Sequence, residues 1–175
     1  GRAMSYASPF FLGPNPGQPW VMYHSDSLAP VTGTGPSALN FGDSLFLTLG
    51  LKNVGDQPAG NLTALLSSPS PFVTITDSVE FYNIIAPGNV KKIANGYTIR
   101  VSDTIPDNLA VRFNVKTVSP DSSAYTWHSH FSLQARAPGL EVGGMTIVDT
   151  LGGNLNGRMD PGETVQIVVR LINSG

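Results

Sequence analysis

The segment from Asp149 to Glu163 gathers side-chain oxygens at a spacing that suits a hard cation. Calcium takes roughly six to eight oxygen ligands, and a loop supplies them at alternating positions around a Gly turn, closed by a late Glu. Set against the twelve-residue calcium loop, Asn154, Asn156, Gly157, Asp160 and Glu163 fall at positions three, five, six, nine and twelve. Arg158 would offer its backbone carbonyl at position seven. Position one is Gly152, which has no side-chain oxygen, so the pattern is broken where it is strongest. Asp149, three residues earlier, reaches in if the loop folds back. The predicted calcium ligands are therefore Asp149, Asn154, Asn156, Arg158, Asp160 and Glu163. The same residues also suit a plain turn-rich connection, in which Asn and Asp bond their own backbone.

Other candidates carry two readings as well. His128 and His130 lie two apart, so on a strand they share a face and could hold a metal together with His24. Their other reading is a solvent-facing pair opposite Trp127, Ser129 and Phe131. Trp20, Tyr23, Tyr82, Tyr97, Tyr125 and Trp127 offer either a stacking platform for sugar or core packing with corner tyrosines. For catalysis there is no nucleophile elbow, phosphate-binding loop, dinucleotide fingerprint or zinc-protease His pair. The segment is expected not to be an enzyme.

Composition narrows the partners. Ten Lys and Arg are scattered along a chain of net charge −2, which predicts no groove for nucleic acid and no polybasic membrane patch. No apolar run approaches the ~18 residues of a membrane span. With no cysteine, disulfides, thiolate metal sites and a cysteine nucleophile are excluded from this segment.

The elements that must position these residues read as strands. Nineteen Gly and fourteen Pro break the chain every few residues, which favours short strands and turns over long helices. Residues 1–19, with the apolar knot Phe10-Phe11-Leu12, read as a linker or the end of a preceding domain. From Trp20 onward, β-prone runs recur at Trp20–Leu28, Ser44–Lys52, Asn61–Ser67, Phe72–Thr76, Phe81–Ile85, Asn89–Ile93, Tyr97–Val101, Leu109–Val118 and Tyr125–Gln134. Leu45, Leu47, Leu49 and Leu51 alternate with other residues, as one buried face requires. No window holds a capped 3.6-residue period. The predicted fold class is all-β, an immunoglobulin-like sandwich.

An internal repeat sets the organisation. Phe41–Gly55 aligns with Pro161–Gly175 without a gap, so that Gly42 recurs as Gly162 and Asn53 as Asn173, an offset of 120 residues. At that offset Trp20–Leu28 falls on Leu140–Val148. Residues 20–139 are expected to form one complete module, and 140–175 the first two strands and acidic loop of a second copy. The equivalent loop of the first copy, Gly33–Asn40, lacks the acids, with Asp43 opposite Glu163. Two strands cannot bury a face by themselves. The tail is therefore expected to pack on the first module or to self-associate with another chain through its open edges.

The stretch Gly153–Val165, followed by alternating aliphatics and Asn173-Ser174-Gly175, resembles immunoglobulin-like modules of secreted Bacteroidetes proteins, of the kind found downstream of gingipain-type peptidase domains. Ile85-Ala86-Pro87-Gly88, Ile105-Pro106-Asp107 and Tyr125-Thr126-Trp127 add to the likeness. Asp followed by Ser or Thr and an aliphatic, as at Asp26-Ser27-Leu28 and Asp149-Thr150-Leu151, is similar to the O-glycosylation signature of such exported proteins. The same triplets also serve as plain turn-to-strand starts. The resemblance implies an extracellular or cell-surface location, calcium in the acidic loop and no activity for this segment. The expected role is a non-catalytic accessory module of a larger exported protein, a cysteine peptidase or surface protein. It would space or stabilise neighbouring domains of the same polypeptide, with the calcium loop at the module junction. The alternative expectation is a carbohydrate-binding or adhesion module.

Overall fold

Leu45, Leu47, Leu49 and Leu51 point to one side of an extended chain and are all fully buried, which fixes the inner face of their sheet. The computed structural model describes residues 17–32, 38–120 and 125–175, and among these it contains strands and turns but no helix. One layer pairs β1 (Val21–Pro30), β3 (Ser44–Asn53), β7 (Val90–Val101) and β5 (Val73–Asp77), in the order β1-β3-β7-β5. The second layer contains β2 (Leu39–Asn40), β4 (Ala59–Ser67), β6 (Val79–Ile85), β8 (Ala110–Ser119) and β9 (Tyr125–Arg136), in the order β2-β9-β8-β4-β6. This order is that of an immunoglobulin-like sandwich. Only Ser78 separates β5 from β6, so a single run of chain leaves one layer and joins the other.

Aromatic rings fill the space between layers. Phe131 stacks on Tyr23 at 4.7 Å and on Phe113 at 5.2 Å between ring centroids. Two buried tyrosines tie the layers in opposite directions. The Tyr82 hydroxyl of β6 donates to the Leu49 carbonyl of β3 at 2.8 Å, and the Tyr97 hydroxyl of β7 donates to the Ala64 carbonyl of β4 at 3.4 Å. Leu49 sits where the β3–β7 ladder breaks register, between Leu47 and Leu49. Burial raises both hydroxyl pKa values, that of Tyr82 to about 12. The nearby Tyr97 hydroxyl opposes that rise at Tyr82, and the Glu80 carboxylate adds to it.

The same register break corrects one expectation. Asn89–Ile93 and Tyr97–Val101 form one strand, β7, because Asn95 takes a left-handed backbone (φ 53) and its NH donates to Thr48 Oγ1 at 2.9 Å. The chain bulges there without leaving the ladder. β2, two residues long, is too short to show any period. Residues 1–16, including Phe10-Phe11-Leu12, and most of the Gly33–Asn40 loop lie outside the described residues.

β10 (Leu140–Val148) and β11 (Gln166–Asn173) form a separate two-stranded sheet. Among the described residues the tail's strands do not pack on the first module, one of the two arrangements expected for them. Its two strands contact each other extensively and no other strand to a comparable degree, and every residue of β11 is exposed.

The two hairpins nevertheless share one design. The β1–β3 ladder runs through Tyr23–Leu51, skips His24 and resumes at Ser25–Gly50. The β10–β11 ladder runs through Val142–Leu171, skips Gly143 and resumes at Gly144–Arg170. The small residue has changed strands. A Cβ on Gly50 would meet Ser25 Oγ at 2.5 Å, and one on Gly143 would meet Ile172 Cδ1 at 2.3 Å. Asn53 Oδ1 accepts the NH groups of Trp20 and Gly55 at 3.1 and 3.0 Å. Asn173 Oδ1 likewise accepts those of Gly139 and Gly175, at 3.1 and 3.2 Å. Val21 pairs with Asn53 and Leu140 with Asn173, so the offset is 120 on the second strands but 119 on the first. The gap-free alignment of Trp20–Leu28 with Leu140–Val148 is thus out by one, because the second loop is one residue longer.

Candidate cation loop on the second hairpin

The loop between β10 and β11 is wound tightly by four left-handed residues: Gly152 (φ 130), Leu155 (φ 63), Gly157 (φ 71) and Gly162 (φ 88). Leucine rarely adopts that backbone, since its Cβ crowds the following carbonyl. Asp149 does reach in. It is 4% exposed, and its Oδ2 accepts the NH of Gly157, at the centre of the loop, at 3.1 Å. The chain folds back at once, with Gly153 NH on the Asp149 carbonyl at 3.0 Å.

Asparagines shape the middle of the loop. Asn154 Oδ1 accepts the NH of Asn156 at 3.1 Å, and Asn156 Oδ1 accepts the NH of Arg158 at 2.7 Å, two successive side-chain turns. Both amide NH2 groups donate to Asp160 Oδ2, at 2.9 Å from Asn154 and 2.6 Å from Asn156. These two bonds hold the Asp160 carboxyl below the usual carboxylate range. Glu163 closes the ring, its Oε1 accepting the NH of Asn154 at 2.9 Å and its Oε2 that of Asp160 at 3.3 Å.

All six predicted residues therefore belong to one connected loop, Arg158 through its backbone only. Six of their side-chain oxygens accept the loop's own donors. Among the described residues no three His, Cys, Asp or Glu side chains come together as a metal-holding group. The donor set, three carboxylates and two amide oxygens, suits a hard cation in chemistry. The arrangement itself is the self-bonded turn.

The first copy shows which part of the loop the fold itself requires. Asp43 NH bonds the Asn40 carbonyl at 3.3 Å, and Glu163 NH bonds the Asp160 carbonyl at 3.2 Å, each across a left-handed Gly. One turn recurs, with a neutral Asn40 where the second copy has Asp160. Gly139 and Asn173 mark the end of the hairpin nearest the sandwich, and the acidic loop lies at the other end, roughly 25 Å along the strands. The junction between the two copies is met by the first copy's turn, whose counterpart on the second copy is the acidic loop. Phe41 NH bonds the Arg136 carbonyl at 2.9 Å, and Asn40 and Phe41 line a cleft of about 230 Å³ with Ala137, Pro138, Asn173 and Gly175.

The remaining candidates separate cleanly. His128 and His130 are exposed on the outer face of β9, opposite buried Trp127 and Phe131, and His24 lies on β1 in the other layer. Tyr82, Tyr97 and Trp127 are core residues, while Tyr125 stacks on Trp127 at 5.5 Å near the sandwich end. Exposed Phe81, which the sequence reading passed over, stands on the outer face of the second layer.

No family model matches the chain, and no curated protein matches it. Among solved structures, the chain is similar to part of trypsin-activated alpha-2-macroglobulin from Escherichia coli, at 17% identity and a TM-score of 0.46. That match covers 74% of this chain and spans 8% of the macroglobulin. It is also similar to the archaellum periplasmic stator protein FlaG from Sulfolobus acidocaldarius, at 17% identity and a TM-score of 0.32, covering 66% of this chain and 100% of the stator protein.

Proposed function

We propose that this chain is a non-catalytic structural part of a larger exported protein, built by repeating one module, with a calcium-binding loop on the second copy. The recurrence of bulge, Asn cap and closing turn in both hairpins carries the reading. Stacked copies of one unit are a common way to build a spacer between domains. The sequence resemblance to modules of secreted Bacteroidetes proteins supports export and a peptidase or surface-protein parent. Among the described residues no helix is long and apolar enough to cross a membrane.

Calcium at this loop would be held by Asp149, Asp160 and Glu163, by the amide oxygens of Asn154 and Asn156, and by the Arg158 carbonyl. Binding exchanges the internal hydrogen bonds for ligation and draws the carboxylates inward. Asp160 is already ionised at neutral pH, since its two amide donors favour the charged form. An ion that binds only the folded loop stabilises it by about 2.7 kcal/mol at a hundredfold excess over its dissociation constant. The loop lies at the far end of the hairpin, so the ion stiffens β10 and β11 rather than the sandwich. Calorimetric titration of the chain with calcium chloride tests this. The expected result is a single-site heat that disappears in an Asp160→Ala, Glu163→Ala variant. An athermal titration, with no change in the loop's amide resonances, would leave the plain turn.

A further inference from the structure

The outer face of the second layer has a charge pattern unlike the rest of the chain. Register places its residues in cross-strand rows: His128–Lys116–Leu65–Val79, His130–Asn114–Ser67, and Thr126–Val118–Thr63–Phe81, with Arg112 opposite Ser132. Two permanent cations and two imidazoles thus stand side by side. None of these outward positions is Asp or Glu, in a protein whose net charge is −2. The exposed rings and chains continue across the face, with Phe81 56%, Val79 52% and Leu65 40% exposed.

Lys116, Arg112, Asn114, His128 and His130 line a groove of about 360 Å³. Arg112 Nε donates to Asn114 Oδ1 at 3.1 Å, which orients the guanidinium along the groove. His128 also borders a second cleft, of about 280 Å³, formed by Trp20, Tyr125 and Trp127. The two depressions meet at His128. Among the described residues, β2 pairs with β9 only at Ala135 and Arg136.

We propose that this continuous surface binds an anionic glycan. Arg112, Lys116, His128 and His130 meet carboxylate or sulfate groups, and the cleft beside Trp20 and Tyr125 takes an adjoining sugar ring. The chemistry of the two parts carries the choice. Cations without acidic neighbours favour an anion, and the guanidinium fork suits planar or tetrahedral oxyanions. The partly exposed rings of Trp20 and Tyr125 suit the C–H faces of a pyranose ring better than an acidic peptide. The inference is independent of the spacer reading and of the calcium loop, which lies on the other hairpin.

The test is a titration of the full chain, followed by amide chemical shifts, with four probes. These are an oligogalacturonate, a sulfated heparin oligosaccharide, a neutral malto-oligosaccharide and polyglutamate, at matched length. The expected result is binding of one or both anionic oligosaccharides, with shifts on β8, β9 and around Trp20. The two arms tell carboxylate from sulfate recognition. The neutral sugar and polyglutamate should each bind about tenfold more weakly or worse, because each offers half of the chemistry. Arg112→Ala with Lys116→Ala, both exposed and outside the core, should cost about tenfold or more in affinity with an unchanged melting temperature. The proposal is overturned if neither anionic oligosaccharide binds. Shifts that map elsewhere, or polyglutamate binding as tightly as the glycans, overturn it equally, the last because it would reveal a charge-only surface.

Discussion

The hairpins β1–β3 and β10–β11 have the same bulge, the same Asn cap and the same closing turn, yet they live in opposite environments. In the first, Leu47, Leu49 and Leu51 are fully buried beneath the second layer. In the second, their counterparts Ile167, Val169 and Leu171 are 49%, 48% and 60% exposed. Bulge, cap and turn are set by residues within the hairpin, while burial is set by what lies across from it. The difference teaches which interactions hold the fold and which merely shape it.

The largest effect should come from that contrast in burial. Leu49→Ala removes apolar volume from a closed core and should cost about 2–5 kcal/mol. Val169→Ala, at the matching place in the open hairpin, should stay within about 0.5 kcal/mol. Urea unfolding of both variants measures the gap, and equal losses would break the comparison. A smaller gap separates the caps. Asn53 is buried, and its Nδ2 also donates to the carbonyls of Gln57 and Ile85 at 2.7 and 3.0 Å. Asn53→Ala strands these partners and should cost about 2–3 kcal/mol, whereas exposed Asn173→Ala should cost at most about 1 kcal/mol.

The tyrosine ties sharpen the contrast through pH. Tyr82 titrates near 12 in the folded sandwich, raised from an ordinary value of 10.0, chiefly by burial. A pKa raised by folding gives stability that is complete below the unfolded value and lost as pH rises through the folded one. The sandwich should therefore lose stability between about pH 10 and 12, and Tyr82→Phe should reduce that alkaline loss. The β10–β11 strands carry no tyrosine and should show no such dependence. Circular dichroism against pH, on both proteins, reads this effect.

Much of this was legible in the sequence, and the misses have physical causes. The Leu45–Leu51 alternation marks an inner face because a pleated strand has a period of two. The repeat of Gly42, Asn53 and Gly55 as Gly162, Asn173 and Gly175 marks a second hairpin, because turns and caps are local chemistry. Register slips hide from such patterns. The one-residue shift between the first strands follows from loop length and shows only in the Val21–Asn53 and Leu140–Asn173 pairings. The join of Asn89–Ile93 to Tyr97–Val101 was hidden because Asn95-Gly96 reads as a turn, when it is a bulge. The six loop residues were found from oxygen spacing, yet spacing does not say that Asn154 and Asn156 aim their NH2 groups at Asp160. The basic outer face escaped because its cations come from two strands, β8 and β9, and meet only through pairing.

The central proposal is that a cation held in the Asp149–Glu163 loop stabilises the second hairpin. Amide hydrogen exchange, in millimolar calcium and again in excess chelator, tests it most directly. The account predicts strong protection of β1 and β3 in both conditions. It predicts weak protection of β10 and β11 in chelator, rising at least about tenfold in calcium, and no rise in the Asp160→Ala, Glu163→Ala variant. Equal protection of β10 and β11 with calcium and with chelator would contradict it.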